Sequence, residues 1–208
     1  MEKNGKTGME KIGVAALGVF AAIGLMYFIF APHPEKDGDV VFVENITGGK
    51  SYASGYFGFD TDLPPGFIVN ESYVDQTLGP GREIPGVSFT VPESFTRGTN
   101  LSPDSYVAVE RQQGVVCEPV SFMSAEVPAE DVVIGTNAFK RATSIGAAAG
   151  NMYEDVVSVF ERAGYCYAVR YFIHTTQLAN YPAGTVREYD RERLLQWFDS
   201  VAASLVIR

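Results

Sequence analysis

The chain has 208 residues, with 16 lysines and arginines against 25 aspartates and glutamates, a net charge of −9 and a pI near 4.7. So acidic a surface repels a phosphate backbone, which argues against nucleic acid as a partner. Apolar residues make up 46% of the chain, enough for a core of useful size and for one domain with appendages.

Residues 12–31, IGVAALGVFAAIGLMYFIFA, run for 20 residues without a charge. A helix of that length, rising about 1.5 Å per residue, spans about 30 Å, the thickness of a hydrocarbon core. It lacks the polar stripe of a helix half-buried in a globular core, so it reads as a transmembrane anchor in contact with membrane lipid. A cleaved signal peptide is the alternative. The run is longer than a usual signal h-region, Ile29 stands where cleavage after Ala31 wants a small residue, and Pro32 follows, so an uncleaved anchor is favoured. Lys3, Lys6 and Lys11 precede the span, whereas Lys36 after it sits amid Glu35, Asp37 and Asp39. The positive-inside rule then makes residues 1–11 a cytoplasmic tail and puts the bulk of the chain outside the cell membrane. Gly18 and Ala22 form a small-xxx-small pair, a weak signal in an alanine-rich span.

Residues 32–55 are rich in Pro, Gly, Asp and Ser and read as a linker, with VVFVEN a short strand inside it. A folded domain over 56–208 follows. Its first part consists of short stretches of period two, punctuated by Gly and Pro. GYFGFD is a candidate strand, and DLPPGF after it demands a turn. GVSFTVP puts Val87, Phe89 and Val91 on one face. DSYVAVERQ puts Tyr106, Ala108 and Glu110 on one face and Val107, Val109 and Arg111 on the other. DVVIGTNAFKRATS reads as a hairpin tipped by Gly135-Thr136-Asn137, and residues 151–176 read as a longer one turning at Ala163-Gly164. GAAAGN, 146–151, fits either a tight loop or the end of a short helix. In DRERLLQWFDSVAASLVI, Leu194, Trp197, Phe198, Val201 and Leu205 recur at helical spacing, with Arg193, Gln196, Asp199 and Ser200 opposite and Asp190 placed to cap. One-faced helices beside hairpins predict an α+β domain, an antiparallel β-sheet with packed helices.

The strand GYCYAVRYFIHTT carries one of two cysteines and one of two histidines. Both of its faces are largely apolar, as for a central strand covered on at least part of each side. His174 reads as a half-buried residue near the strand's end. As a catalytic base it would need a nucleophile, yet no G-x-S-x-G elbow is present, and Cys166, eight positions back on the same face, is about 26 Å away along a straight strand. Cys117, Cys166 and His174 lack the close-spaced pairs of a zinc site, so no metal is expected. In an oxidising exterior the two cysteines form one disulfide, Cys117–Cys166; in a reversed topology they are two buried thiols. Asp60-Thr61-Asp62 opens like a calcium loop but lacks the Gly and Glu that should follow. Glu154 and Asp155 are adjacent and so face opposite sides of a strand. Arg187 to Arg193 form a mixed charge run at the helix start. Asn45, Asn70 and Asn100 fit the glycosylation sequon, a pattern common by chance.

YFGFDTDLPPGF (56–67) resembles the opening strand and turn of PsbP-like domains. FTVPESFTRGTNLSPDSYVAVE (89–110), AAAGNMYED (147–155) and CYAVRYFIHTT (166–176) are similar to a group of uncharacterised exported bacterial proteins. The resemblance implies an antiparallel sheet between helices, no cofactor, and a binding or assembly role with no active-site residues. It does not transfer a photosynthetic role, since fold does not fix function. The expected function is a non-enzymatic, membrane-anchored, extracytoplasmic module with a protein partner in the cell envelope. The 11 tyrosines, with Tyr165, Tyr167 and Tyr171 on one strand face, fit either recognition or a plain core. The alternative function is a hydrolase or other enzyme with a site around His174.

Overall fold

Two tight turns join the three longest strands. Strands β9 (Asn137–Ala148), β10 (Asn151–Arg162) and β11 (Tyr165–Thr176) are each 12 residues long. Ala149 and Gly150 make the first turn at φ of 50° and 81°, and Ala163 and Gly164 the second at 53° and 77°. Two successive left-handed residues give the primed turn whose twist matches the flanking strands. The GAAAGN stretch is thus strand and turn, not helix.

This computed structural model describes residues 48–208 and the backbone of 39–41. The expected tail, the anchor at 12–31 and most of the linker lie outside the described residues. Among the described residues no helix is long and apolar enough to cross a membrane.

The remaining elements are β1 (Asp39–Val41), β2 (Lys50–Ser54), β3 (Phe59–Leu63), β4 (Ile68–Asn70), β5 (Val74–Asp75), β6 (Ile84–Thr90), a one-turn helix α1 (Glu93–Thr96), β7 (Tyr106–Gln112), β8 (Glu130–Ile134), the helix α2 (Arg191–Ser204) and β12 (Val206–Ile207). The large sheet runs β1-β8-β9-β10-β11-β7-β6-β4, with β5 also on β6; a small sheet runs β12-β3-β2. All pairs are antiparallel except β1 with β8. The linker assignment for 32–55 therefore needs correction. Residues 39–41, which overlap the short strand expected in VVFVEN, pair along β8, and residues 50–54 pair along β3, so the folded part begins well before Tyr56. KSYAS is short and polar, and its pairing comes from a neighbouring strand, which composition does not reveal.

One face of the large sheet carries Val87, Phe89, Val107, Val109, Val156, Tyr167, Val169, Tyr171 and Ile173, all buried. Phe59 and Leu63 of the small sheet, Phe57 in the turn before them, and Leu194, Phe198 and Val201 of α2 with Leu205 at its C-cap complete that core. Burying such side chains stabilises the fold by roughly 1.5–3 kcal/mol each before entropy is counted. Asp190 caps α2, its carboxylate accepting from Arg193 N at 3.0 Å. Thr61 Oγ1 donates to Val201 O at 2.8 Å and ties the small sheet to the helix. Asp199, expected on the solvent side, instead accepts from Tyr171 Oη at 2.7 Å, because the long tyrosine reaches past the helix's apolar stripe.

The opposite face is covered for about half its length, and not by a helix. The segment from 113 to 128, irregular apart from a 3-10 turn at Pro119–Ser121, lays Phe122 and Met123 against Ile84, Ala142, Val157, Val159 and Ala168. The expected sheet between helices thus has a helix on one side only. Cys117 in this cover is bonded to Cys166 on β11.

Candidate functional site

The far face of β11 carries Cys166, Ala168, Arg170, Phe172 and His174, and each residue begins a different local chemistry. At Cys166 and Ala168 the face is apolar and covered. At Arg170 it turns ionic. Beyond Arg170 it turns aromatic, and neither apolar core extends that far.

Arg170 is 1% exposed, and all of its donor nitrogens are engaged. Nε donates to Glu110 Oε1 at 2.6 Å and Nη1 to Asp155 Oδ2 at 2.6 Å. Nη2 donates to Phe122 O at 2.5 Å, Glu110 Oε2 at 3.3 Å and Asp75 Oδ2 at 3.4 Å. A single guanidinium thereby joins β7, β10, β5 and the cover segment. Its planar fork suits this better than an ammonium would. Burial pulls the Arg170 pKa down, but the carboxylates of Glu110 and Asp155 more than reverse this and hold it charged. Burial pushes the Glu110 carboxyl up, against the lowering pull of Arg170. Asp155 is also pushed up by burial, with Arg170 opposing and Asp75 adding. Three carboxylates around one cation leave the cluster short of positive charge. Tyr73 Oη donates to Glu110 Oε1 at 2.8 Å and lies 3.1 Å from Tyr106 Oη. Burial raises both phenols, which keeps them protonated.

The aromatic part starts at that pair. Ring centroids lie 5.3 Å apart for Tyr73–Tyr106, 5.1 Å for Tyr106–Phe172, 6.2 Å for Phe172–Tyr153 and 4.6 Å for Tyr153–His174. The register explains the row. Tyr106 pairs with Phe172, Phe172 with Asp155, and His174 with Tyr153, and paired residues share a face. All five rings are half-buried. Beside them β9 presents only Ser144, Gly146 and Ala148, and a Cβ built on Gly146 meets nothing within 4 Å. The result is a shelf with small residues on one side and aromatic rings on the other.

Two polar atoms next to the rings are out of solvent contact and have no hydrogen-bond partner among the described residues: Asp155 Oδ1 and His174 Nε2. His174 Nδ1 lies 2.9 Å from Asp104 Oδ1, which gives an imidazole held by a carboxylate. Burial tends to raise the Asp104 pKa, but hydrogen bonds from Ser102 and His174 outweigh it and hold it low. Among the described residues no hydroxyl or thiol hydrogen-bonds to Nε2. Ser105, the adjacent hydroxyl, bonds instead to the His174 backbone, accepting from N at 3.1 Å.

The other residues singled out in the sequence fall elsewhere. Tyr167 and Tyr171 are core, at 2% and 1% exposure, and only Tyr165 of that trio is half-buried. Tyr165 packs on the Arg111 guanidinium, 4.4 Å from ring centroid to Cζ. Glu154 and Asp155 do diverge, Glu154 to Arg191 and Asp155 to Arg170. Asp60 pairs with Arg208, and Asp62 accepts from Ser51. Asn100 Nδ2 donates to Thr176 O, whereas Asn70 is exposed, and Asn45 lies outside the described residues. A groove of ≈ 470 Å³ between β2 and the Pro64-Pro65-Gly66 turn, lined by Lys50, Tyr52, Leu63, Phe67 and Val69, holds no unpartnered buried polar atom among the described residues. The Arg170–Glu110 cluster went unread in the sequence. Its signal was an arginine in the middle of an otherwise apolar strand, which must be paired to be buried.

No family model and no curated protein matches this chain. Among solved structures it is similar to a crystal structure from Bacteroides thetaiotaomicron, with 15% identity, a TM-score of 0.46 and coverage of 77% of this chain and 48% of that one. The chain thus spans about half the length of the Bacteroides protein. It is also similar to the solution structure of PsbP from the cyanobacterium Synechocystis sp. PCC 6803, with 14% identity, a TM-score of 0.43 and coverage of 85% of this chain and 100% of that one. PsbP is the namesake of the domains that the sequence resembles.

Proposed function

We propose that this chain is a membrane-tethered, extracytoplasmic binding or assembly module, not an enzyme, and that it holds a protein of the cell envelope against its aromatic face. The observation that carries the reading is the half-exposed row Tyr106–Phe172–Tyr153–His174 beside the open Gly146 shelf. Aromatic rings fixed on a sheet offer large contact area at little entropic cost, which is what interface centres use. The charge-free run at 12–31 supports the tether. A disulfide spanning 49 residues supports an oxidising exterior.

A photo-crosslinking amino acid placed at Gly146 in the full-length protein tests this in intact cells, with a second placed at Glu192 on the outer side of α2. The expected result is a discrete adduct with an envelope protein from position 146 and none from position 192. Equal adducts from both positions, or none from 146, sink the reading.

A further inference from the structure

We propose that the groove between β2 and the Pro64-Pro65-Gly66 turn binds the free C-terminal end of another polypeptide in extended form, its carboxylate at Lys50 and its last, apolar side chain inside. The groove shares no residue with the aromatic row, so this is a second contact that does not depend on the first.

Charge selects the occupant. Of the residues that line the groove, Lys50 alone is charged. Lys50 is exposed, and no carboxylate among the described residues forms a salt bridge with it. Two acids of the adjoining chain are engaged with hydroxyls instead. Asp62 Oδ1 accepts from Ser51 Oγ at 2.7 Å, and Glu71 Oε1 accepts from Tyr52 Oη at 2.8 Å. A lone lysine at the mouth of a recess attracts an anion.

The walls are apolar and already in place. Tyr52, Leu63, Phe67 and Val69 make up most of them. Tyr52 packs edge-on against Phe89 with ring centroids 5.3 Å apart, and Phe67 against Trp197 at 5.7 Å. Walls fixed before a ligand arrives lower the cost of binding. A volume of ≈ 470 Å³ accommodates a side chain with its backbone alongside.

β2 supplies the third element. It is the outermost strand of the small sheet and pairs only with β3 among the described residues. Its Lys50, Ser51 and Tyr52 all border the groove. An extended peptide laid along such a strand gains main-chain hydrogen bonds, and a pocket beside it reads a side chain. A terminal residue carries a carboxylate and a side chain on one Cα, which matches a lysine next to apolar walls. Gly48 comes close to Pro65 just before Lys50, where a Cβ built on it would lie 3.7 Å from Pro65 Cγ. A peptide that continued past Lys50 towards Gly48 would run into that contact, whereas one that ends at Lys50 does not.

The test is an anisotropy titration of the full-length protein with fluorescent hexapeptides of alternating serine and valine that differ in their last residue, each made as the free acid and as the C-terminal amide. Free acids that end in an apolar residue are expected to bind, and their amides about tenfold more weakly or worse. Lys50→Gln is expected to bring the acids down to the level of the amides and to leave the amides as they were. Val69→Glu, at an exposed position, sets a negative charge against the groove and is expected to weaken the acids by about tenfold or more. Arg82→Gln removes a unit of positive charge at an exposed position outside the groove and is expected to change nothing. Unfolding midpoints confirm that the variants fold. The proposal is wrong if no free acid binds, if acids and amides bind alike, if Lys50→Gln and Arg82→Gln weaken binding equally, or if Val69→Glu binds like the parent. An amide whose last residue is glutamate checks the terminus. If it binds as tightly as the best free acid, Lys50 takes any carboxylate and the assignment to a chain end falls. None of these outcomes alters the adduct expected from position 146, so the two readings fail separately.

Discussion

Arg170 and Glu110 meet twice across β11 and β7, Nε on Oε1 at 2.6 Å and Nη2 on Oε2 at 3.3 Å, with both side chains shut off from water. A buried bidentate pair contributes modest net stability when intact, because desolvation offsets much of the attraction. Breaking it is another matter. Arg170→Met leaves Glu110, Asp75 and Asp155 facing one another and Phe122 O without its donor. The expected loss is about 3–5 kcal/mol in denaturant unfolding. Arg170→Lys is expected to recover only a minor part, since one ammonium cannot serve four acceptor groups at these positions. A loss below about 1 kcal/mol for Arg170→Met refutes this account.

The same cluster predicts how stability varies with pH. Burial holds the folded pKa values of Glu110 and Asp155 above those of the unfolded chain. As pH rises past the unfolded carboxylate range, about pH 4, the unfolded chain gives up these protons while the native protein keeps them. The native state then binds more protons, and stability falls until the raised folded pKa values have been passed. Asp155→Asn removes one of the two contributors and keeps an oxygen for Arg170 Nη1. Its denaturant midpoint should decline less between pH 4 and neutrality than that of the parent. An identical slope in the two proteins speaks against the cluster as the source.

The bond between Cys117 and Cys166 closes a loop of 49 residues and anchors the cover segment to β11. Restricting the unfolded chain over that span is worth about 4 kcal/mol in the entropy model. The double change Cys117→Ala and Cys166→Ala should lower the denaturant midpoint accordingly. Near-neutral behaviour would mean that the packing of Phe122 and Met123, with the bonds from Arg170 and Gln112 to Phe122 O and Ser121 O, suffices to hold the cover.

Asp190→Ala removes the acceptor for Arg193 N at the start of α2. Caps of this kind are worth about 1 kcal/mol. A melting shift is expected without loss of helical content, because Leu194, Phe198 and Val201 still bury the helix's apolar face. No change in melting temperature would show that another group satisfies these amides.

Much of the fold was legible in local pattern. Ala163-Gly164 marked the long hairpin, Gly135-Thr136 the short one, Val87, Phe89 and Val91 a buried face, and Leu194, Phe198 and Val201 the helix. Each signal acts within a few residues of itself. The site was less legible because it joins distant residues. Arg170 and Glu110 are 60 positions apart, and their meeting depends on which strands pair and in which register. The aromatic row has the same origin, since Tyr106, Phe172 and Tyr153 lie on three strands and become neighbours only through that register. Asp199 was misplaced because helical periodicity sorts apolar from polar residues and does not know that Tyr171 extends a hydroxyl from the sheet. The cover segment has no period at all, so no pattern announced that an irregular chain would replace a helix.

Among the described residues β4 has no further strand partner at its end of the large sheet, and its own Ile68 and Val69 are exposed, at 60% and 38%. Such a margin invites a foreign strand to add on, the first step towards fibrils. Here the margin is three residues long and bounded by Phe67 and by the turn at Glu71 and Ser72. A strand from another molecule could make very few ladder bonds along it, so its brevity works against edge-to-edge addition.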